Sequence, residues 1–516
     1  MLRRRSSGIL LHVTSLPSPY GIGDLGPAAY TFADFLQAAG QNYWQMLPLN
    51  HTTAMTRYSP YNCFSAFAGN PLLISPDLLY QAGYLMKAEL KDPPRFPADR
   101  VDYACVARYK GTILESAFRR FGANRKPADY ELFLREHSSW LEPYAAFVAL
   151  KRHFKGRRWC DWPAGWRDFG VRVSDSGLEK ALAANPQSDL SDESAIINPQ
   201  WIEQERFFQY VFYRQYMDLK RYCGTQGVLI AGDVPIYVAY DSADVWSHPD
   251  LFKLTAARKP RFQAGVPPDY FSKTGQLWRN PVYDWQRMEQ THFRWWMQRI
   301  KHNLLLFDLV RIDHFRGLIA YWEVPGAHET AMRGKWVQVP HGKFFAELFR
   351  QVPFPALFVE DLGYITADVR EAVAKYNFPR MSVLQFAFGG DPAHNPHMPH
   401  NVAENSIIYT GTHDNNTARA WFEKDLTRPG RERLFEYFGC KVSAEEVPWE
   451  LIRVAMGSVA KLAIIPMQDV LGLGAQARMN TPAKSNGNWQ WRMRPGETTA
   501  RLAERLRTLT AAYGRA

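Results

Sequence analysis

The chain of 516 residues has little cysteine and no motif that would put it to use. Its five cysteines (Cys63, Cys105, Cys160, Cys223 and Cys440) are scattered, odd in number and free of any C-x-x-C pair. That pattern excludes a disulfide framework and a zinc ribbon, and it suits a reducing compartment. Long apolar runs are missing as well. The opening MLRRRSSGILLHV holds only the short run GILL, too brief for a signal-peptide core, and nothing later approaches the roughly 18 apolar residues of a membrane span. The expected location is the cytoplasm, with no membrane partner. Nor is there an internal repeat, a low-complexity tract or a phosphate-type glycine loop.

What is present points to a large folded enzyme. Hydrophobic residues make up 46% and charged residues 22%, ample for a sizeable core. The formal charge of +11 favours anionic company, yet Lys and Arg are dispersed, with Arg3-Arg4-Arg5 the one short block. No nucleic-acid partner is expected from that distribution. Aromatics are plentiful: 17 Trp, 25 Tyr and 31 Phe account for 14% of the chain. Packing uses many of them, and Trp44, Trp159 and Trp162 read as packing residues. The remainder can line a cleft for sugar rings, whose apolar C–H faces stack on indole and phenol.

Eight short apolar runs end in polar residues: 8–15, 43–49, 228–238, 306–315, 356–363, 382–389, 406–415 and 462–472. Continuous apolar runs of this length predict parallel strands buried on both faces. Helical patterns such as YTFADFLQAAG and ITADVREAVAKYN lie between several of them. The alternation predicts an α/β fold, a (β/α)8 TIM barrel with large inserted subdomains. Residues 1–50 would start the barrel, 51–226 would form a mainly helical inserted region, and 227–516 would complete it. Within the last part, 250–285 reads as an active-site loop, long and aromatic, ending in GVPPDYFSKTGQLWRNPVYDW.

Barrel chemistry sits at the C-terminal ends of the strands. The runs end on Asp233, Asp313-His314, Glu360-Asp361, His413-Asp414 and Asp469. Charged groups there are costly to desolvate, so several converging on one mouth point to a site. Three chemistries compete. A metal site lacks tight ligand spacing, and Arg311 and Arg316 flank Asp313. Proton abstraction beside a carbonyl would want a lysine, a metal or a phosphate-bearing cofactor. Glycosyl transfer by double displacement needs a carboxylate nucleophile and a protonated carboxyl about 5–5.5 Å away. Asp313 beside arginines suits the first role, and Glu360 after the apolar ALFV suits the second. Asp361 and Asp469 read as orienting or pairing groups. The histidines His394, His397 and His400 fall in a proline-rich surface loop rather than a metal tract.

Six segments together carry a resemblance: SPYNCFSAFAGNP (59–71), GDVPIYV (232–238), PPDYFSKTGQLWRNPVYDW (267–285), RIDHFRG (311–317), VEDLG (359–363) and GTHDN (411–415). They resemble amylomaltases, the 4-α-glucanotransferases of the α-amylase superfamily, and the likeness runs from residue 10 to residue 492. It implies a retaining barrel enzyme with no cofactor and no metal. In that family's pattern Asp313 would be the nucleophile, Glu360 the general acid/base and Asp414 a third carboxylate on the sugar's 2- and 3-hydroxyls. Arg311 would keep the nucleophile charged. His314 and His413 would contact hydroxyls, Tyr61 would stack under the reacting ring, and Asp233 fills the aspartate position after the third strand. Asp269, Tyr270, Phe271, Gln276 and Trp278 would arch over the cleft and hold acceptor sugars. The implied partners are malto-oligosaccharides, amylose or glycogen-derived dextrins, with glucose as an acceptor.

Two positions depart from the family's pattern. Arg279 stands where W-G-N-P is usual, and Ala483 where N-x-P-G is usual. Arg279 is expected to add bulk and charge on the acceptor side, and Ala483 to remove freedom for positive φ. The nearest alternative activity is a retaining α-glucan hydrolase. An idle glucan-binding protein is the alternative of another class. Transfer wins over hydrolysis where an oriented acceptor outcompetes water, and the 267–285 loop is the expected lid.

Overall fold

The computed structural model describes residues 4–183, 197–268, 273–363 and 365–516. Eight strands form one parallel sheet: β1 (Ser6–Leu10), β2 (Tyr43–Gln45), β3 (Leu229–Val234), β6 (Leu309–Ile312), β9 (Leu357–Val359), β10 (Arg380–Val383), β11 (Ser406–Tyr409) and β12 (Leu462–Pro466). They lie in the order β10-β11-β12-β1-β2-β3-β6-β9, and β9 meets β10 again where the Val359 N–H donates to the Pro379 carbonyl at 3.0 Å. The sheet thus nearly closes into a (β/α)8 barrel. All eight strands lie within or overlap the eight apolar runs, and nearly every residue in them is buried. The runs overshoot the strands at their C-terminal ends. There the chain leaves the sheet as polar side chains begin, as where β12 gives way at once to the turn of helix Met467–Val470.

The helices between strands follow their sequence patterns. Pro27–Ala38 starts on a proline and buries Ala29, Phe32, Ala33 and Leu36, the spacing of one helix face. Ala367–Tyr376 stops at Asn377, which takes the left-handed conformation (φ 53°). Between β2 and β3 the described chain is mainly helical, with Tyr103–Ala123, Ala128–His153 and Pro199–Thr225 its longest elements. Pro199–Thr225 packs on Ala128–His153 and also on Pro27–Ala38 and β3, which ties this region to the barrel wall. Trp44 and Trp159 are wholly buried and Trp162 nearly so. The Trp44 indole N–H donates to the Leu11 carbonyl at 2.7 Å while its ring meets Phe32 edge-on.

One element differs from expectation. The 250–285 stretch is not wholly loop: it contains β4 (Phe262–Val266) and β5 (Gln276–Pro281). These join β7 (Ala320–Pro325) and β8 (Lys335–Gln338) in a second, antiparallel sheet of order β5-β4-β7-β8. The physical reason is composition. These strands are short; β4 is interrupted by Gly265 and a register shift between Gln263 and Gly265, and β5 and β8 are mostly only partly buried, so they lack the unbroken apolar signature of the barrel strands. Among the described residues no helix is long and apolar enough to cross a membrane.

Candidate active site

Three adjacent strands build the heart of the site. In their ladder Asp233 of β3 lies opposite Arg311 of β6, and Ile312 opposite Val359 of β9. The ladder runs one residue beyond the strands: the Asp313 N–H donates to Val234 O and the Glu360 N–H to Ile312 O, both at 3.0 Å. Asp313 and Glu360 are therefore anchored by backbone hydrogen bonds at the rim of the barrel. His314, just after Asp313, takes the left-handed conformation (φ 48°), and its N–H donates to Glu360 Oε2 at 2.7 Å. The Leu362 N–H donates to Oε1 at 2.8 Å. Both oxygens of Glu360 are held by main-chain donors.

Arg311 is buried, with only 5% of its side chain exposed, and it divides its guanidinium between two aspartates. Nη1 donates to Asp233 Oδ2 at 2.7 Å and Nη2 to Asp313 Oδ1 at 2.8 Å. Burial alone would lower the Arg311 guanidinium, but Asp233 and Asp313 hold it well above its ordinary range. Glu360 goes the other way. Burial first, then the like charge of Asp313, push its carboxyl up to about 7, against Arg311 and the two amides. Burial, with Arg316 nearby, takes His314 down to about 4, so its ring is neutral around pH 7 and able both to donate and to accept.

On the far side of the mouth Asp414 is about half exposed. The Asn480 Nδ2 donates to its Oδ1 at 2.6 Å, and the His413 Nε2 lies 3.4 Å from the same oxygen. Arg478 Nη2 donates to the Asp414 carbonyl at 2.7 Å, and the Asn480 N–H to the His413 carbonyl at 3.1 Å. The Tyr61 ring stacks on His413 (4.9 Å, 13°), with Trp489 adjoining at 5.7 Å. The Tyr61 hydroxyl donates to Asp233 Oδ2 at 2.7 Å.

A continuous open cleft of 2360 Å³ passes over all of this. It exceeds the few hundred to about 1,000 Å³ of a small-molecule pocket, so its dimensions suit a polymer. Of the expected site residues, Asp313, Glu360, Asp414, Tyr61, Gln276, Trp278, Arg311, His314 and His413 line it together. Trp278 stands edge-on to His314 at 4.7 Å, and its indole N–H points to Gln276 Oε1 at 3.4 Å. Asp269, Tyr270 and Phe271 lie outside the described residues.

Asp233 requires correction. It is the fifth residue of β3 rather than a residue after it, its side chain is fully buried, and it does not line the cleft. Its carboxylate works beneath the floor, on Arg311 and Tyr61. The two departures also resolve differently from expectation. Arg279 is exposed and leaves the cleft wall to its neighbours Trp278 and Asn280. Ala483 does line the cleft, and its loop keeps the left-handed backbone with an alanine in it (φ 65°); Arg279 has the same φ of 65°. Each replaces a glycine of the family's pattern without changing the backbone that glycine would favour. The sequence carries no signal for Arg478 and Asn480 as holders of Asp414. Their segment lies some sixty residues further along the chain, and no local pattern links the two.

An eight-stranded barrel with an aromatic, carboxylate-bearing cleft at the C-terminal ends of its strands places the chain among the barrel enzymes that act on sugar polymers. The comparisons narrow that class. The family model described as 4-alpha-glucanotransferase matches residues 11–499. A 4-alpha-glucanotransferase of Aquifex aeolicus is 45% identical over 511 residues, covering 99% of each chain. One of Thermus thermophilus is 44% identical over 525 residues, again covering 99% of each. The solved amylomaltase of Streptococcus agalactiae, in complex with acarbose, superposes with a TM-score of 0.91 at 36% identity, covering 99% of this chain and 100% of that one. The chain belongs to the 4-alpha-glucanotransferase family.

Proposed function

We propose that the protein disproportionates α-1,4-glucans by retaining double displacement. A free oxygen of Asp313 attacks the anomeric carbon while Glu360 gives its proton to the departing glycosidic oxygen. The C–O bond breaks and a glycosyl ester forms on Asp313. Glu360, now a carboxylate, then takes the proton of an acceptor 4-hydroxyl as that oxygen displaces Asp313. Bonds and protons balance, and the anomeric configuration is retained. The observation that carries this reading is the opposed setting of two neighbouring carboxyls. Asp313 is ion-paired to Arg311, whereas Glu360 is raised to about 7 and available as an acid.

Asp414, with His413 and His314, would grip hydroxyls of the reacting glucose, and Tyr61 would lie against that ring. Gln276 and Trp278, on the β4–β5 side, would meet acceptor sugars. Residues 51–226 act in this scheme as a subdomain that walls one side of the cleft through Tyr58, Tyr61, Arg100 and Tyr103. The substrates would be malto-oligosaccharides and longer dextrins, with glucose among the acceptors, in a reducing cytoplasm that suits five free cysteines. Incubation with maltotriose tests the reading: a ladder of shorter and longer oligomers with released glucose is expected. Hydrolysis without any longer product would contradict transfer.

A further inference from the structure

Seven of the eight joins in the barrel are parallel ladders; the eighth, between β9 and β10, is not. In a parallel ladder the bonds are evenly spaced, and the residue after each partner donates back across the join. The β3–β6 join does this where the Asp313 N–H donates to Val234 O. At the β9–β10 join the first rung is present, from the Val359 N–H to Pro379 O at 3.0 Å. The next rung would run from the Met381 N–H to Val359 O. Instead that N–H donates to Asp361 Oδ1 at 3.1 Å, and Arg380 Nε donates to Asp361 Oδ2 at 2.6 Å. The Asp361 side chain is 1% exposed. A charge-assisted bidentate contact from a side chain has replaced a rung of backbone.

Glu360 lies between these two ties, one residue after Val359 and one before Asp361. We propose that Asp361 is a positioning residue for Glu360, closing the barrel seam so that the acid is held at one height above the cleft floor. The inference rests on the reading of Glu360 as the proton donor. It also gives two neighbouring carboxyls different roles, since Glu360 faces the cleft and reacts, whereas Asp361 faces the seam and holds.

The test compares donors that do and do not need an acid. Maltotriose loses a sugar alkoxide that must be protonated; α-maltotriosyl fluoride loses fluoride, which need not be. In Asp361→Asn, one of the two acceptors is lost. Transfer from maltotriose is expected to fall about 10- to 100-fold in kcat with KM within about twofold, the scale of a misplaced catalytic group. With the fluoride the step to read is the first-turnover release of fluoride, which needs neither acid nor base; it is expected to fall less than about threefold, since the nucleophile is untouched. Arg380→Met, which keeps the Met381 bond, should show the same donor preference more weakly, and it carries the comparison by itself if Asp361→Asn does not fold. Equal losses with both donors, or no loss, would overturn the proposal. Glu360→Gln is the control: if it shows no donor preference, the acid assignment fails first and takes this inference with it. If it shows the preference and neither Asp361→Asn nor Arg380→Met does, only the inference fails.

Discussion

The two sides of the barrel mouth hold their carboxylates by different means. On the β3–β6–β9 side, Asp313 and Glu360 are fastened by ladder bonds, by main-chain donors and by a buried guanidinium. On the β11 side, Asp414 is about half exposed and depends on Asn480, a side chain from a segment near the end of the chain. The difference matches the division of labour proposed above. Groups that make and break bonds need positions fixed to fractions of an ångström, and a barrel wall supplies them. A group that grips hydroxyls of a ring as it distorts can be held by a loop.

Substitutions on the two sides should therefore differ in kind as well as in size. The largest effect is expected for Asp313→Asn, with transfer from maltotriose reduced about 10⁴-fold or more at unchanged fold, measured by product release and circular dichroism. Next comes pH. Glu360 is raised to about 7, so its proton-bearing form is present below that value and lost as pH rises through it. The alkaline limb of kcat/KM should fall near pH 7 and disappear in Glu360→Gln assayed with the fluoride donor, where no acid is required. A limb that persists there belongs to another group.

Asn480→Ala should act more mildly, reducing kcat/KM about tenfold through loss of one hydrogen bond to a charged group. If it matches Asp313→Asn, the two sides are not distinct. The smallest change sits on the rim. Ala483 holds φ at 65°, a conformation that costs a non-glycine residue roughly 1–2 kcal/mol, so Ala483→Gly should stabilise the fold by about 1 kcal/mol in urea unfolding, with transfer unchanged.

Much of this molecule is legible in its sequence. Barrel strands buried on both faces tend to be continuous apolar runs, and β9, β11 and β12 announce themselves so. Carboxyls at the ends of such runs, Asp313 and Glu360 above all, stand out because nothing in packing requires them. What stays hidden depends on register and distance. Whether Asp233 points into the cleft or beneath it turns on a single residue of strand alternation. The Asn480–Asp414 contact joins segments with no shared pattern, and the part Asp361 plays appears only where the seam between β9 and β10 lacks a rung. β4 and β5 read as loop because Gly265 interrupts β4 and the polar, mostly partly buried β5 resembles a loop in composition.

The most direct test of the central claim is to look for the ester itself. Glu360→Gln should be incubated with α-maltotriosyl fluoride whose non-reducing 4-hydroxyl is blocked, so that the donor cannot also serve as acceptor. The fluoride leaves without an acid, and the missing base then slows release of the glycosyl group. Mass spectrometry of the digested protein should find one maltotriosyl unit on the peptide containing Asp313. An adduct on a different residue, or rapid turnover to free sugar of inverted anomeric configuration with no adduct, would contradict the account.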